Sequence, residues 1–180
     1  RGGPGRGKSA LLCHHVDGLV RSGALVACGF LRRARPEDAV PDRVAEALIA
    51  QLIAVPALRP LRPTGPRGPD ALGELLGRIS RELLVPTRRR LVLALDGLDA
   101  LEVLDDDDPL AGALPPFPIA GVTLVVGARP TRALARLAAW TPRVLDLDAP
   151  PWASGNQRAC RAACAAIARA RRLPARWAAT

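Results

Sequence analysis

The chain has a single lysine, Lys8, and no methionine or tyrosine. Aromatic residues make up 3% of its 180 residues, so a core has to be assembled from Leu, Val, Ala and Ile. No helical stretch shows a basic stripe interleaved with aromatic rings, the pattern that would direct its charge toward nucleic acid. No apolar run approaches the roughly 20 residues that cross a bilayer, which argues against a transmembrane helix, and no signal peptide is visible. There is no initiator methionine, and the chain opens on a glycine loop with no strand ahead of it. Together these lead us to expect a fragment, cut from a longer protein just after its first strand. The four cysteines, Cys13, Cys28, Cys160 and Cys164, lack a zinc site's ligand pattern. Cys160 and Cys164 share a helix face, but no second pair of ligands follows them. Buried thiols in a reducing cytosol are the expected state of all four.

The apolar fraction of 49% is that of a globular protein, and the length suits one domain with its own core. The net charge of +9 is carried by arginine. A nucleic-acid or other polyanionic partner is one reading of it. Arginine spread over solvated faces is the favoured one, because a GC-rich coding bias would also enrich Ala, Gly and Pro.

Residues 8–22 read as a helix with Leu12, Val16, Leu19 and Val20 on one face and Gly23 as its stop. His14 and His15 fall on its surface. Residues 24–31 form an apolar run of strand length. A second helix, over 41–54, opens with Pro41 and carries Val44, Leu48, Ile49 and Leu52. Residues 55–69, with five prolines, read as a loop without regular structure, either mobile or a partner surface. Asp70 is placed to cap the next helix, in which Leu72, Leu75, Leu76, Ile79 and Leu83 recur at helical spacing. Strands are expected at 90–96, 121–127 and 143–147, and helices at 131–140 and 156–173. The acid run Asp105–Asp108 reads as a solvated loop. Strands alternating with helices predict an α/β fold with a parallel sheet covered on both faces.

Three features carry chemistry. Gly2-Gly3-Pro4-Gly5-Arg6-Gly7-Lys8-Ser9 satisfies every position of the G-x-x-x-x-G-K-[ST] phosphate loop. Glycines let backbone N–H groups close around phosphate, and the helix that follows adds its positive end. Lys8 would reach the β- and γ-phosphates, and the Ser9 hydroxyl would ligate Mg²⁺. A compact ammonium suits that place better than a planar guanidinium, which gives a physical reason for one lysine among arginines. Asp96 ends an apolar strand at the sheet edge where such folds place their ligands, and would hold the magnesium shell through water. Asp99, three residues on, could orient an attacking water as general base. Arg129 ends the next strand at the same edge and could sense the γ-phosphate.

The glycine loop, the stretch Leu91-Val92-Leu93-Ala94-Leu95-Asp96-Gly97-Leu98-Asp99 and the stretch from Leu114 to Pro130 together resemble the STAND class of signalling ATPases, its NACHT branch in particular. Asp96, Gly97 and Asp99 match the aspartate, small residue and second acid of that class. Arg129 and Pro130 match the end of its sensor strand, while Gly127 and Ala128 replace hydroxyl residues and Ala100 replaces an acid. The resemblance covers about residues 1–150. It implies a P-loop NTPase three-layer αβα sandwich with a mostly parallel sheet, whose absent first strand would lie centrally and leave an open slot. It also implies a core at 1–149 and, at 150–180, the start of a C-terminal helical lid region.

The same resemblance implies ATP and Mg²⁺ as cofactors, bound by Gly2, Gly3, Pro4, Gly5, Arg6, Gly7, Lys8, Ser9 and Ala10, with Ser9 and Asp96 on the metal. Lys8, Asp99 and Arg129 would serve catalysis. Slow hydrolysis would make the ADP/ATP state a switch for self-association in the cytoplasm, with no membrane partner. Two rival readings are an AAA+ ATPase of the replication-initiator type acting on DNA and a nucleotide-binding scaffold that never hydrolyses. Asp-Gly-Leu-Asp, where the initiator type usually carries Asp-Glu, favours the signalling class.

Overall fold

The computed structural model describes residues 1–31, 40–65, 67–103, 114–130, 137, 142–150, 152–155, 158–159 and 161–162. Helix α1 (Lys8–Arg21) leads to strand β1 (Leu25–Phe30). Helix α2 (Pro41–Ala54) is followed by a 3₁₀ helix, Pro56–Leu61. Helix α3 (Pro69–Ile79) runs on through a π-helical stretch, Ser80–Leu84, into the short α4 (Val85–Thr87). Strand β2 (Leu91–Asp96), a 3₁₀ helix (Leu98–Val103) and strand β3 (Val122–Gly127) complete the order.

The three strands form one parallel sheet in the order β1-β2-β3. Leu25 pairs with Leu91 and Leu91 with Val122, so the strand ends Phe30, Asp96 and Gly127 stand side by side. All six residues of β2 are buried, as expected of a central parallel strand covered on both faces. Leu91, Leu93 and Leu95 join Leu48, Leu52, Leu72, Leu75 and Ile79 in the main core. Val92 and Ala94 alternate to the other side, and α1 approaches all three strands.

Several expectations hold closely. Helix α2 begins at Pro41, whose missing N–H costs nothing in the first turn. Helix α1 stops where Gly23 adopts φ +76°. There the Gly23 N–H reaches the Val20 carbonyl and the Ala24 N–H reaches that of Leu19, both at 3.0 Å, a Schellman ending.

Other expectations need correction. Val20 is 58% exposed, so the apolar face of α1 is narrower than its periodicity suggests. Residues 55–69 are not structureless. Two of their prolines fall in the 3₁₀ helix, whose i→i+3 bonding demands few amide donors, and its Leu58 and Leu61 are buried. Asp70 does not cap α3. Gly68 holds that place and Pro69 follows, so Asp70 lies in the first turn, where a carboxylate complements the helix dipole. Residues 143–147 form no strand of the sheet; among the described residues their backbone bonds to the rest of the chain go to Arg1, and a ladder needs partners along its length. The buried-thiol expectation fails at Cys13, which is exposed on α1, while Cys28 is half-buried on β1. Partial burial, and then the nearby Cys13, push the Cys28 thiol pKa up. The expected helix at 131–140, except Leu137, lies outside the described residues, as do Asp105–Asp108, Cys160, Cys164 and most of 156–173.

Candidate functional site

The glycine loop runs directly into α1. Gly5 and Gly7 adopt φ +70° and +80°, the left-handed conformation that glycine enters without the Cβ penalty. Gly7 is the residue before the first helical turn, and the first bond of that helix runs from the Leu11 N–H to the Gly7 carbonyl at 2.9 Å. The N–H groups of Gly7, Lys8, Ser9 and Ala10 consequently have no backbone acceptor among the described residues. No acidic side chain sits in that first turn. An N-terminal turn with four free donors and no resident carboxylate of its own is suited to an anion.

Lys8 bends back over the loop. Its Nζ donates to the carbonyls of Gly2 and Gly3, each at 2.7 Å. An ammonium has three donors, so one remains for a ligand. Ser9 and Ala10 are exposed beside it. Pro4 and Gly5 form the outer turn, and Arg6 directs its Nε to Asp148 Oδ1 at 2.7 Å.

A second group gathers at the C-terminal ends of β2 and β3. Asp96 is 8% exposed, and its carboxylate has no hydrogen-bond partner among the described residues. A buried charge without a partner is costly, which makes this carboxylate suited to a cation or its water shell. Gly127 provides the space for it, since any Cβ there would collide with Asp96 Oδ1. The residue that replaces a hydroxyl in the sequence comparison thus makes room for the acid. Asp99, 6% exposed, receives the Arg129 backbone N–H at 3.4 Å and lies 3.5 Å from Arg129 Nε. Two of the sequence-predicted catalytic residues are therefore brought together, paired with one another. Parallel register made their shared edge predictable; the pairing was not foreseen.

Among the described residues no group of three or more His, Cys, Asp or Glu side chains could enclose a metal ion. Ser9 and Asp96 alone would make a sparse protein shell, which fits Mg²⁺, an ion that keeps several waters and shares phosphate oxygens. A groove of about 340 Å³ between α2 and residues 62–71, floored by Ile49, Ala50 and Ile53, contains none of the predicted site residues. No helix of the described residues is long and apolar enough to cross a membrane.

Sequence reasoning missed Asp146 and Asp148. Asp146 Oδ2 meets Arg1 Nε at 2.9 Å, and its Oδ1 accepts the Asp148 N–H at 3.0 Å. The Asp148 N–H first, and the Arg1 side chain second, hold the Asp146 carboxyl below the ordinary aspartate pKa. A depressed folded-state pKa stabilises the fold above the unfolded value, about 4, and that contribution is lost as pH falls through the lower folded value. A carbon-detected NMR titration should therefore place the Asp146 midpoint below that of an unperturbed aspartate; a midpoint at or above it would mean that these contacts do not persist in solution.

The class of protein is thus an α/β one, with a parallel three-stranded sheet, a glycine loop at the start of its first helix and an acid at the end of its central strand. The chain belongs to the family described as Nephrocystin 3, N-terminal, whose model matches residues 1–114. No curated protein and no solved structure matches it.

Proposed function

We propose that this domain binds ATP with Mg²⁺ and acts as a slowly hydrolysing regulatory switch, a P-loop NTPase of the STAND class and its NACHT branch. The observation that carries this reading is the loop Gly2–Ser9 running into α1, where the N–H groups of Gly7, Lys8, Ser9 and Ala10 have no backbone acceptor among the described residues and the Lys8 ammonium lies over the loop. Polyphosphate is the ligand whose charge and oxygen count match such a set. The buried Asp96 supports a magnesium ion held through water, with the Ser9 hydroxyl as a direct ligand. Bound magnesium would draw charge from the β- and γ-phosphate oxygens.

Asp99 and Arg129 support hydrolysis in a particular way. Their pairing keeps both beside each other at the strand-end edge where Asp96 lies. A γ-phosphate would draw the Arg129 guanidinium, a contact that ADP does not offer, while Asp99 would orient the attacking water. This is the physical content of a switch.

The test is turnover in the full chain with and without Asp99→Asn. Loss of a positioned base is expected to slow hydrolysis by about 10²–10⁴-fold, with ATP affinity nearly unchanged. Equal rates would remove Asp99 from the mechanism. Nucleotide binding without turnover in either protein would identify a non-hydrolysing scaffold.

A further inference from the structure

Residues 145–148, Leu-Asp-Leu-Asp, lie alongside the first arm of the glycine loop. The Arg1 nitrogen donates to the Leu145 carbonyl at 2.6 Å, and the Leu147 N–H donates to the Arg1 carbonyl at 2.8 Å. This is the hydrogen-bond pattern of a parallel bridge, and it sets Arg1 opposite Asp146. Two residues further along both segments, Gly3 comes opposite Asp148. Leu147 and Asp148 lie in a turn that the Ala149 N–H closes on the Asp146 carbonyl at 3.2 Å, and this turn brings Asp148 over the loop. Leu147 is 4% exposed, so close to Gly2 that a Cβ there would lie 3.1 Å from its own.

Asp148 uses both carboxylate oxygens on the loop. Oδ2 accepts the Gly3 N–H at 2.7 Å, and Oδ1 meets Arg6 Nε at 2.7 Å. It thereby joins the two ends of the turn through Pro4 and Gly5. Pro4 and Gly5 at the tip of that turn are exposed, and among the described residues nothing stands within 4 Å of where a Gly5 Cβ would be. The contacts leave the N–H groups of Gly7–Ala10 free, and they commit the Arg6 charge to Asp148.

We propose that Asp148 is a positioning residue for the phosphate site: by bridging Gly3 and Arg6 it fixes the turn that presents the Gly7–Ala10 N–H groups and Lys8 to a polyphosphate. The inference rests on the nucleotide-binding reading of the loop. Without the bridge, the loop must be ordered at the moment of binding, and that ordering is subtracted from the affinity.

The test uses the full chain, with Mg²⁺ and ATP as the probe, and reads both calorimetric affinity and the rise in melting temperature that ATP induces. Asp148→Ala should weaken ATP binding by roughly tenfold, the scale of a charge-assisted hydrogen bond. Asp148→Asn keeps an oxygen for the Gly3 N–H and should lose less, about threefold, the scale of an exposed ion pair. In the Asp148→Ala background, Arg6→Ala should add almost nothing, because the coupling is already gone. The half-exposed Asp148 makes both variants expected to melt, without ligand, close to the unaltered chain; only the ATP-induced rise should fall. Equal ATP affinity in all variants, or tighter binding on removal of Asp148, would overturn the role of Asp148 while the loop reading stands. Failure of the unaltered chain to bind ATP would overturn the loop reading and, with it, this inference.

Discussion

Lys8→Arg is expected to lower the affinity of the chain for Mg²⁺ and ATP by one to two orders of magnitude, although the net charge stays at +9. Lys8 Nζ sits 2.7 Å from each of the Gly2 and Gly3 carbonyls. That position is set by a long flexible stem ending in one small cation. A guanidinium spreads its donors over a plane, and to satisfy the same two carbonyls it would have to push its remaining nitrogens into the space a phosphate needs. A charge-assisted hydrogen bond to phosphate contributes about 1.5–3 kcal/mol, which converts to the stated loss. Titration calorimetry checks it, with circular dichroism to show that the variant folds. Unchanged affinity would reduce the lone lysine to a coding accident in an arginine-rich chain.

Much of the frame was legible because local chemistry decides it. Pro41 and the 3.6-residue recurrence of Val44, Leu48 and Leu52 set α2. The continuous apolar run 91–95 could only be a strand buried on both faces. Register then followed, because three parallel strands of six residues paired end to end present Phe30, Asp96 and Gly127 together. What stayed hidden is non-local. Arg129 was expected at the ligand edge, yet whether it faces Asp99 or open space depends on the path of the chain between 99 and 129. Residues 143–147 read as an ordinary strand, with Asp148 just beyond it. Asp146 and Asp148 could be assigned to the glycine loop only once Arg1 was seen beside Asp146. The 3₁₀ helix at 56–61 was obscured by its prolines, which read as breakers although a proline can begin such a helix.

Gly97→Ala is expected to destabilise the protein by about 3 kcal/mol, a large effect for the addition of one methyl group. Gly97 has φ +75°, and a residue with a Cβ pays roughly 1–2 kcal/mol for that conformation. The added carbon would also fall against the Leu31 carbonyl oxygen, a backbone atom that no rotamer change can move aside. Relief by shifting the backbone is opposed from three sides. The Gly97 N–H donates to the Gly127 carbonyl at 2.8 Å, the Ala100 N–H donates to the Gly97 carbonyl at 2.8 Å, and the Leu31 N–H donates to the Asp96 carbonyl at 2.9 Å. Those bonds tie together the ends of all three strands, so strain at Gly97 reaches Asp96 and Asp99 on either side of it. The small residue between the two acids is thus a geometric requirement of the site. Gly18→Ala is the control. It lies within α1 at negative φ, with open space where its Cβ would be, and should stabilise by about 0.5–1 kcal/mol. Urea unfolding of both variants reads the contrast directly. If Gly97→Ala unfolds at the midpoint of the unaltered chain, then the strand ends do not meet as described, and the placement of Asp96 beside Gly127 falls with them.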